Sequence, residues 1–212
     1  MSLANKIQSC GDDLLSVAVP GPAESQQLAA RLRATGEWLE VVGGIDTVAL
    51  RFDAANIDAD AAQRTAHESI GAGIPVVQSS PVVVEIPVCY GGEYGPDFDA
   101  VCSMLDLSAE ELVALHTERE YTVDMLGFTP GFAYIGGLDK RLNVARLREP
   151  RVQVAAGSVG IAAGRTGLYA LPGPGGWVLI GRTSHPLFDA TADEPFALSP
   201  GTRVRFVAVS AL

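Results

Sequence analysis

His116 follows a segment with a helical pattern and has the chemistry of an acid or a base. Ser108 and Glu111 have the spacing of a capping box, which predicts a helix that begins after Ser108 and ends near His116. The helix dipole at that end favours the protonated imidazolium, so His116 could act as general acid, general base or charge clamp. A histidine that only caps the helix would fit the same position, and the spacing favours neither interpretation.

The most unusual stretch, residues 127–138, combines three aromatic side chains with four glycines and a proline. Phe128, Phe132 and Tyr134 could wall a pocket for a small molecule, with the backbone amides near Gly131 facing the ligand. The same rings could instead form a hydrophobic plug for a barrel. Both interpretations stay open.

A second glycine-rich turn contains Ser158 between Gly157 and Gly160, and its successive amides could form a nest for an anion. Glu93 lies in a third such stretch, residues 90–97, where the backbone could approach a ligand or where Asp97 could simply cap the next helix. Five cations within twelve residues could form a solvated face, a phosphate or carboxylate site, or a surface for an acidic partner. These are Lys140, Arg141, Arg146, Arg148 and Arg151.

Motifs for nucleotides, metals and acyl transfer are incomplete or missing. The run from Gly160 to Thr166 is one residue shorter than a phosphate-binding loop and has Arg165 in place of lysine. Histidines and cysteines lack the spacing of zinc ligands, and no serine has the flanking glycines of a nucleophile elbow. We therefore predict no bound metal.

Two segments of different character must position these residues. The first, residues 1–85, has the order β-α-β-β-α-β, which is typical of a ferredoxin-like α/β sandwich. Its predicted strands and helices are 14–19, 23–34, 38–42, 47–52, 58–70 and 82–88. The second, residues 86–212, has two short helices near 97–104 and 109–116, followed by short apolar runs separated by glycine and proline. That pattern predicts an antiparallel barrel, so the fold class is α+β.

Composition excludes several classes of partner. The chain of 212 residues carries a net charge of −10, which disfavours binding to nucleic acids and to anionic membranes. Apolar runs are shorter than a membrane span, and the first residues lack the apolar core of a signal peptide. Three cysteines at irregular spacing predict a reduced, cytoplasmic protein.

Five segments, in the same order along the chain, resemble the B subunit of the bacterial ATP-dependent 5-oxoprolinase family. The family is also labelled allophanate hydrolase subunit 1, or carboxyltransferase domain subdomain C/D, and includes a sporulation histidine-kinase inhibitor. The segments are residues 86–97, 116–121, 125–132, 156–162 and 174–183. Ala155 departs from the usual family pattern, which has proline there, and residues 41–46 also differ.

The resemblance implies a cyclophilin-like β-barrel after a small α/β domain. It also implies a hetero-oligomer of three kinds of 5-oxoprolinase subunit. The B and C subunits together activate 5-oxo-L-proline with ATP, and the A subunit completes ring opening to L-glutamate. In urea carboxylase a related pair of subdomains transfers a carboxyl group from biotin to urea. Because no nucleotide motif is complete here, ATP would be shared with the partner subunit.

The leading hypothesis is therefore a subunit of an ATP-dependent amide or lactam hydrolase that is inactive alone. His116 would be its acid, base or clamp, and the other candidate residues would bind substrate: Glu93, Phe128, Gly131, Phe132, Tyr134, Ser158 and Gly160. One alternative is a regulatory module that inhibits a sensor histidine kinase. Peptidyl-prolyl isomerase activity is a further alternative that rests on fold analogy alone. The natural substrate could be 5-oxoproline, allophanate or a urea derivative.

Overall fold

The computed structural model describes residues 7–71 and 83–212. Contacts within the chain divide it into two compact units, residues 1–78 and 79–212. This division lies before the boundary near residue 85 at which the sequence pattern changes. In the described ranges, no helix combines the length and the apolar character that crossing a membrane requires.

The first unit is a four-stranded antiparallel sheet with two helices. Its elements are β1 (Ile7–Ser9), β2 (Leu14–Ala18), α1 (Pro22–Thr35), β3 (Glu40–Gly43), β4 (Thr47–Arg51) and α2 (Ala59–Gly71). The strand order is β1-β2-β4-β3. Alternation in β2 buries Leu15 and Val17 in the core, while Pro22 in the first turn and Gly36 in the left-handed conformation delimit α1.

The second unit contains the barrel and the candidate site. Its elements are β5 (Val83–Tyr90), α3 (Phe98–Leu105), α4 (Ala109–Thr117), β6 (Glu120–Leu126), β7 (Ala133–Gly136), a 3₁₀ turn (Lys140–Leu142), β8 (Arg151–Val154), β9 (Ser158–Ala162), β10 (Arg165–Leu168), β11 (Gly173–Gly175), β12 (Val178–Arg182) and β13 (Arg203–Ala208). Seven strands close into a barrel in the order β10-β7-β6-β13-β5-β12-β9, and β8 and β11 form a separate ribbon. The predicted barrel is confirmed, although its β5–β13 pair is parallel.

The ferredoxin-like arrangement predicted for the first unit is not confirmed. Its last predicted strand, 82–88, corresponds to β5, which pairs with β13 and β12 in the barrel. The apolar side chains of Ile86 and Val88 identify a buried strand, but they do not specify which sheet it joins. The edge of the first sheet beside β2 is instead occupied by β1, which is too short and polar to be predicted.

The barrel strands separate two sets of side chains. On β9 and β12 the residues Val159, Ile161, Val178 and Ile180 belong to the main core of the unit. The alternate positions belong to the opposite face of the sheet. There a second, smaller cluster forms around Phe132, whose other members are Val154, Ala162, Tyr169, Trp177 and Leu179. The candidate site lies against this second cluster.

Candidate functional site

Helix α4 places His116 in the core of the barrel unit. The predicted capping box is present, with the Ser108 hydroxyl accepting from the Glu111 amide and the Glu111 carboxylate accepting from the Ser108 amide. His116 is fully buried and its ring stacks on Phe206, with centroids 4.4 Å apart. The helix end therefore points this side chain inward, where it packs as a core residue.

Both ring nitrogens of His116 have hydrogen-bond partners. Nδ1 lies 2.7 Å from the Tyr90 hydroxyl, and Nε2 lies 3.0 Å from Thr166 Oγ1. The Thr166 hydroxyl in turn donates to the Gly160 carbonyl at 3.2 Å. This assigns one consistent tautomer, in which Tyr90 donates to Nδ1 and the Nε2 proton is donated to Thr166. The three side chains form a chain that ends on strand β9.

The predicted protonated state of His116 is wrong. Complete burial lowers the pKa of His116 to about 3, so the imidazole is neutral near neutral pH. A helix C-terminus stabilises a charge by up to ~2 kcal/mol in a partly buried site, which is less than the desolvation opposes here. Burial also raises the pKa of Tyr90, which keeps its hydroxyl protonated and able to donate. The role of His116 as acid or base stays a prediction, and in this structure the ring has no access to a ligand.

The aromatic loop forms a cluster on the outer side of the barrel sheet rather than a plug in its interior. Phe132 is 1% exposed and meets Tyr134, Tyr169 and Trp177 with ring centroids between 4.8 and 5.7 Å apart. Phe128 is 58% exposed, has a φ of +71° and rests edge-on against Phe132.

Gly131 makes the tight turn of this loop. It has a φ of +76°, and a Cβ there would come within 2.8 Å of the Cβ atoms of Ala170 and Phe188. Only glycine combines this backbone conformation with such close packing. Its predicted role in oxyanion binding stays a prediction.

The amides predicted to form an anion nest are already engaged. The Gly157 amide donates to the Tyr169 carbonyl at 2.7 Å, and the Ser158 amide donates to the Ala155 carbonyl at 3.3 Å. Each amide has one hydrogen, so neither could bind an oxyanion without breaking these bonds. Gly160 lies in β9 under Trp177, whose Cβ would be 3.0 Å from a Cβ at this position. Close packing therefore accounts for these two glycines.

A cavity of about 290 Å³ opens beside Ser158 and brings two of the predicted residues together. Ser158 is 1% exposed and Glu93 lies at the surface. The complete lining is Glu93, Tyr94, Pro96, Arg151, Gln153, Val154, Ala155, Ser158, Leu179 and Arg182. His116 and the predicted residues of the aromatic loop are not among these residues, but Val154 and Leu179 connect the cavity to the aromatic cluster.

Arg182 is the functional candidate that the sequence pattern does not single out. Antiparallel pairing of β9 and β12 places it directly opposite Ser158. Its guanidinium lies over the Tyr94 ring, 5.4 Å from the centroid, and its buried Nε has no hydrogen-bond partner among the described residues. Arg182 falls within a segment that carries the family resemblance, but its relation to Ser158 depends on strand register. Only a prediction of that register could have identified the pair.

Arg151 is held at the same cavity by Asp97. One carboxylate oxygen of Asp97 binds the Arg151 guanidinium at 2.6 Å, and the other accepts from the Leu179 amide at 2.7 Å. Asp97 makes no side-chain cap on α3, so the capping interpretation is wrong. The five clustered cations do not act together, since Arg141 pairs with Asp139 at 3.0 Å. Within residues 7–71 and 83–212, no three histidine, cysteine or acidic side chains form a group able to hold a metal.

Sequence comparison identifies relatives over most of the chain. Residues 5–198 match the family described as the carboxyltransferase domain, subdomain C and D. A protein of Haemophilus influenzae, named as the B subunit of 5-oxoprolinase, is 37% identical over 196 residues, which are 90% of this chain and 91% of that protein. A protein of the same name from Bacillus subtilis is 50% identical over 128 residues, 60% of this chain and 53% of that protein. The matched part thus spans about half the length of the Bacillus relative.

Solved structures share the fold. The crystal structure of TTHA0988 superposes with a TM-score of 0.80 at 33% identity, over 95% of this chain and 41% of that chain. The urea carboxylase of Kluyveromyces lactis superposes with a TM-score of 0.78 over 96% of this chain and 21% of that chain. At 19% identity, this second likeness concerns the fold alone. The chain belongs to the family of carboxyltransferase domain, subdomain C and D, proteins that includes the B subunit of 5-oxoprolinase.

Proposed function

We propose that this chain is one subunit of an ATP-dependent hydrolase that opens 5-oxo-L-proline to L-glutamate. The observation that carries the proposal is the match to a 5-oxoprolinase B subunit over 91% of that protein's length. The cavity beside Ser158 supports it, because it combines cationic and hydroxyl donors with an apolar wall. These are the groups that a small, polar, acidic substrate requires.

The partners in this proposal are the C subunit, which completes the active site, and the A subunit, which completes the reaction. The described residues do not fit a nucleotide-phosphate site. The run from Gly160 to Thr166 is a hairpin between β9 and β10, whereas a phosphate-binding loop joins a strand to a helix. We therefore propose that most of the ATP site belongs to the partner and that this chain contributes the cavity for the substrate.

His116 has a positioning role in this proposal. The hydrogen-bond chain from Tyr90 through His116 and Thr166 ends on the Gly160 carbonyl, two residues from Ser158. A buried chain with every member paired fixes the strand that carries it, because each unpaired group would be costly in the core. His116 would thus hold β9 in place rather than exchange protons with the substrate. All three cysteines are free, which agrees with work in a reducing cytoplasm.

An assay of glutamate and ADP formation tests the proposal. The purified chain, its mixture with the C subunit, and its mixture with both the A and C subunits are each given ATP and 5-oxo-L-proline. We expect turnover only when all three components are present. Substantial turnover by the chain alone would contradict the proposed division of the active site. Tight binding to the dimerisation domain of a sensor histidine kinase, without turnover in any mixture, would favour the regulatory alternative instead.

A further inference from the structure

Arg182 differs from the other arginine of the cavity in having a free guanidinium. Arg151 is neutralised by Asp97 at 2.6 Å. Arg182 makes no hydrogen bond or ion pair with any described residue, and its contact is the face of the Tyr94 ring. Its Nε is buried. Buried polar groups are nearly always paired, so an unpaired donor that lines a cavity indicates a ligand with an acceptor.

Ser158 supplies a second free donor on the neighbouring strand. The residue is 1% exposed, lines the same cavity, and its hydroxyl has no hydrogen-bond partner among the described residues. Directly opposed residues of antiparallel strands have their Cβ atoms about 5 Å apart, so a single group could receive hydrogen bonds from both side chains. A planar guanidinium beside a hydroxyl matches the two oxygens of a carboxylate.

The position of Ser158 is enforced by the preceding glycine. Gly157 has a φ of +78°, and its amide and carbonyl bond to Tyr169 and Thr183. The carbonyl bond ties the residue before Ser158 to the residue after Arg182. Both donors are therefore held by paired backbone, which lowers the entropy lost when a ligand binds.

The size of the cavity favours a small acid. At about 290 Å³ it lies at the lower end of the range for ligand pockets, and it would hold roughly ten waters or a ligand with about as many heavy atoms. A nucleotide is much larger. Glu93 opposes an anion, but it is exposed at the rim, where water screens its charge, and its carboxylate could accept a hydrogen bond from a ligand N–H.

We propose that Arg182 and Ser158 bind the carboxylate of a small acidic substrate in this cavity. The inference deepens the proposed function, on which it rests for the choice of a lactam acid as ligand. It favours 5-oxoproline or allophanate, which carry a carboxylate, over urea, which does not.

Binding to the full-length chain, without ATP or partner subunits, tests this site. The probes are 5-oxo-L-proline, 2-pyrrolidinone, which is the same lactam without its carboxylate, and inorganic phosphate. Titrations followed by two-dimensional ¹⁵N NMR, including the Arg182 Nε–H signal, detect millimolar binding. We expect 5-oxo-L-proline to bind at least ~10-fold more tightly than 2-pyrrolidinone and to shift the Arg182 signal.

Variants identify the donors. Arg182→Gln should weaken binding of 5-oxo-L-proline by at least ~10-fold, and Arg182→Lys and Ser158→Ala by less, since each retains part of the site. Arg64→Gln, which changes an exposed arginine of α2 that does not line the cavity, should bind like the parent chain. Thermal midpoints measured on every variant verify that each is folded.

Three results would overturn the inference: equal binding of both lactams, unchanged binding by folded Arg182→Gln and Arg182→Lys, or a response to phosphate without one to 5-oxo-L-proline. Because no turnover is measured, the site and the proposed reaction fail separately. Intact carboxylate binding together with an inactive three-component mixture would reject the reaction and keep the site.

Discussion

At the residue scale, burial decides what each candidate side chain can do. His116 has the residue type and the helix position of a catalytic histidine, yet it is fully buried with both nitrogens paired. Ser158 is equally buried, but it lines a cavity and its hydroxyl has no partner among the described residues. Residue type alone cannot separate these cases, since the difference depends on what packs around each side chain.

We expect His116→Ala to destabilise the protein by about 2–4 kcal/mol. The change removes a stacked ring from the core and leaves the buried Tyr90 hydroxyl without its acceptor. A histidine that only capped a helix would contribute about 0.5–1 kcal/mol. Urea denaturation measures the free energy of unfolding, and His185→Ala, at a half-buried position with no assigned role, is the control. Full stability combined with lost turnover would instead establish a catalytic His116.

The low pKa of His116 predicts that stability decreases with acidification below pH 6.5. Between its usual pKa of 6.5 and the folded value of about 3, the unfolded chain binds a proton that the folded chain does not. The free energy of unfolding should therefore decrease as pH falls, by up to ~1.4 kcal/mol per unit. Urea denaturation at pH 6.5 and 5 should show a smaller decrease for His116→Gln. Equal decreases in both proteins would mean that His116 is not buried as a neutral ring.

At the scale of elements, sequence patterns identify strands and helices better than they identify partners. The capping box of α4 is local, so Ser108 and Glu111 suffice to predict it. The assignment of β5 to the wrong unit and the omission of Arg182 share one cause. Both depend on which strands pair and in what register, and alternation of apolar residues carries no information on the partner strand. Ser158 and Glu93 were within reach of prediction, but the arginine that completes their site was not.

The turn before β9 provides a test of how this element is held. Gly157 and Gly164 have similar φ angles, +78° and +74°, but a Cβ at Gly157 would collide with the Thr183 carbonyl, whereas Gly164 has no neighbour within 4 Å. Gly164→Ala should cost about 1 kcal/mol for backbone strain alone, and Gly157→Ala at least ~2 kcal/mol more. Denaturation midpoints of the two variants measure the difference. Equal losses would show that close packing at Gly157 does not hold the turn.

At the scale of the whole molecule, the barrel unit has the features of an independently folding domain. It has its own core, a closed sheet, and helices α3 and α4 packed on that core. We expect a fragment of residues 79–212 to unfold in one cooperative thermal transition. A broad transition without cooperativity would contradict this.

A shorter fragment tests where the unit begins. Starting at residue 86 removes Val83–Glu85 of β5, which pair with Arg203–Arg205 of β13. This fragment should melt at a lower temperature than residues 79–212, because it loses the first three pairs of the parallel ladder. The same midpoint for both fragments would show that these pairs add nothing to the barrel.

The central claim is that this chain is a required component of an ATP-coupled lactam hydrolase. The most direct test omits it from an otherwise complete mixture: the A and C subunits receive ATP and 5-oxo-L-proline with and without the chain, and glutamate and ADP are measured in the same samples. We expect both products in equal amounts with the chain and neither above background without it. Equal rates of glutamate formation in the two mixtures would contradict the claim.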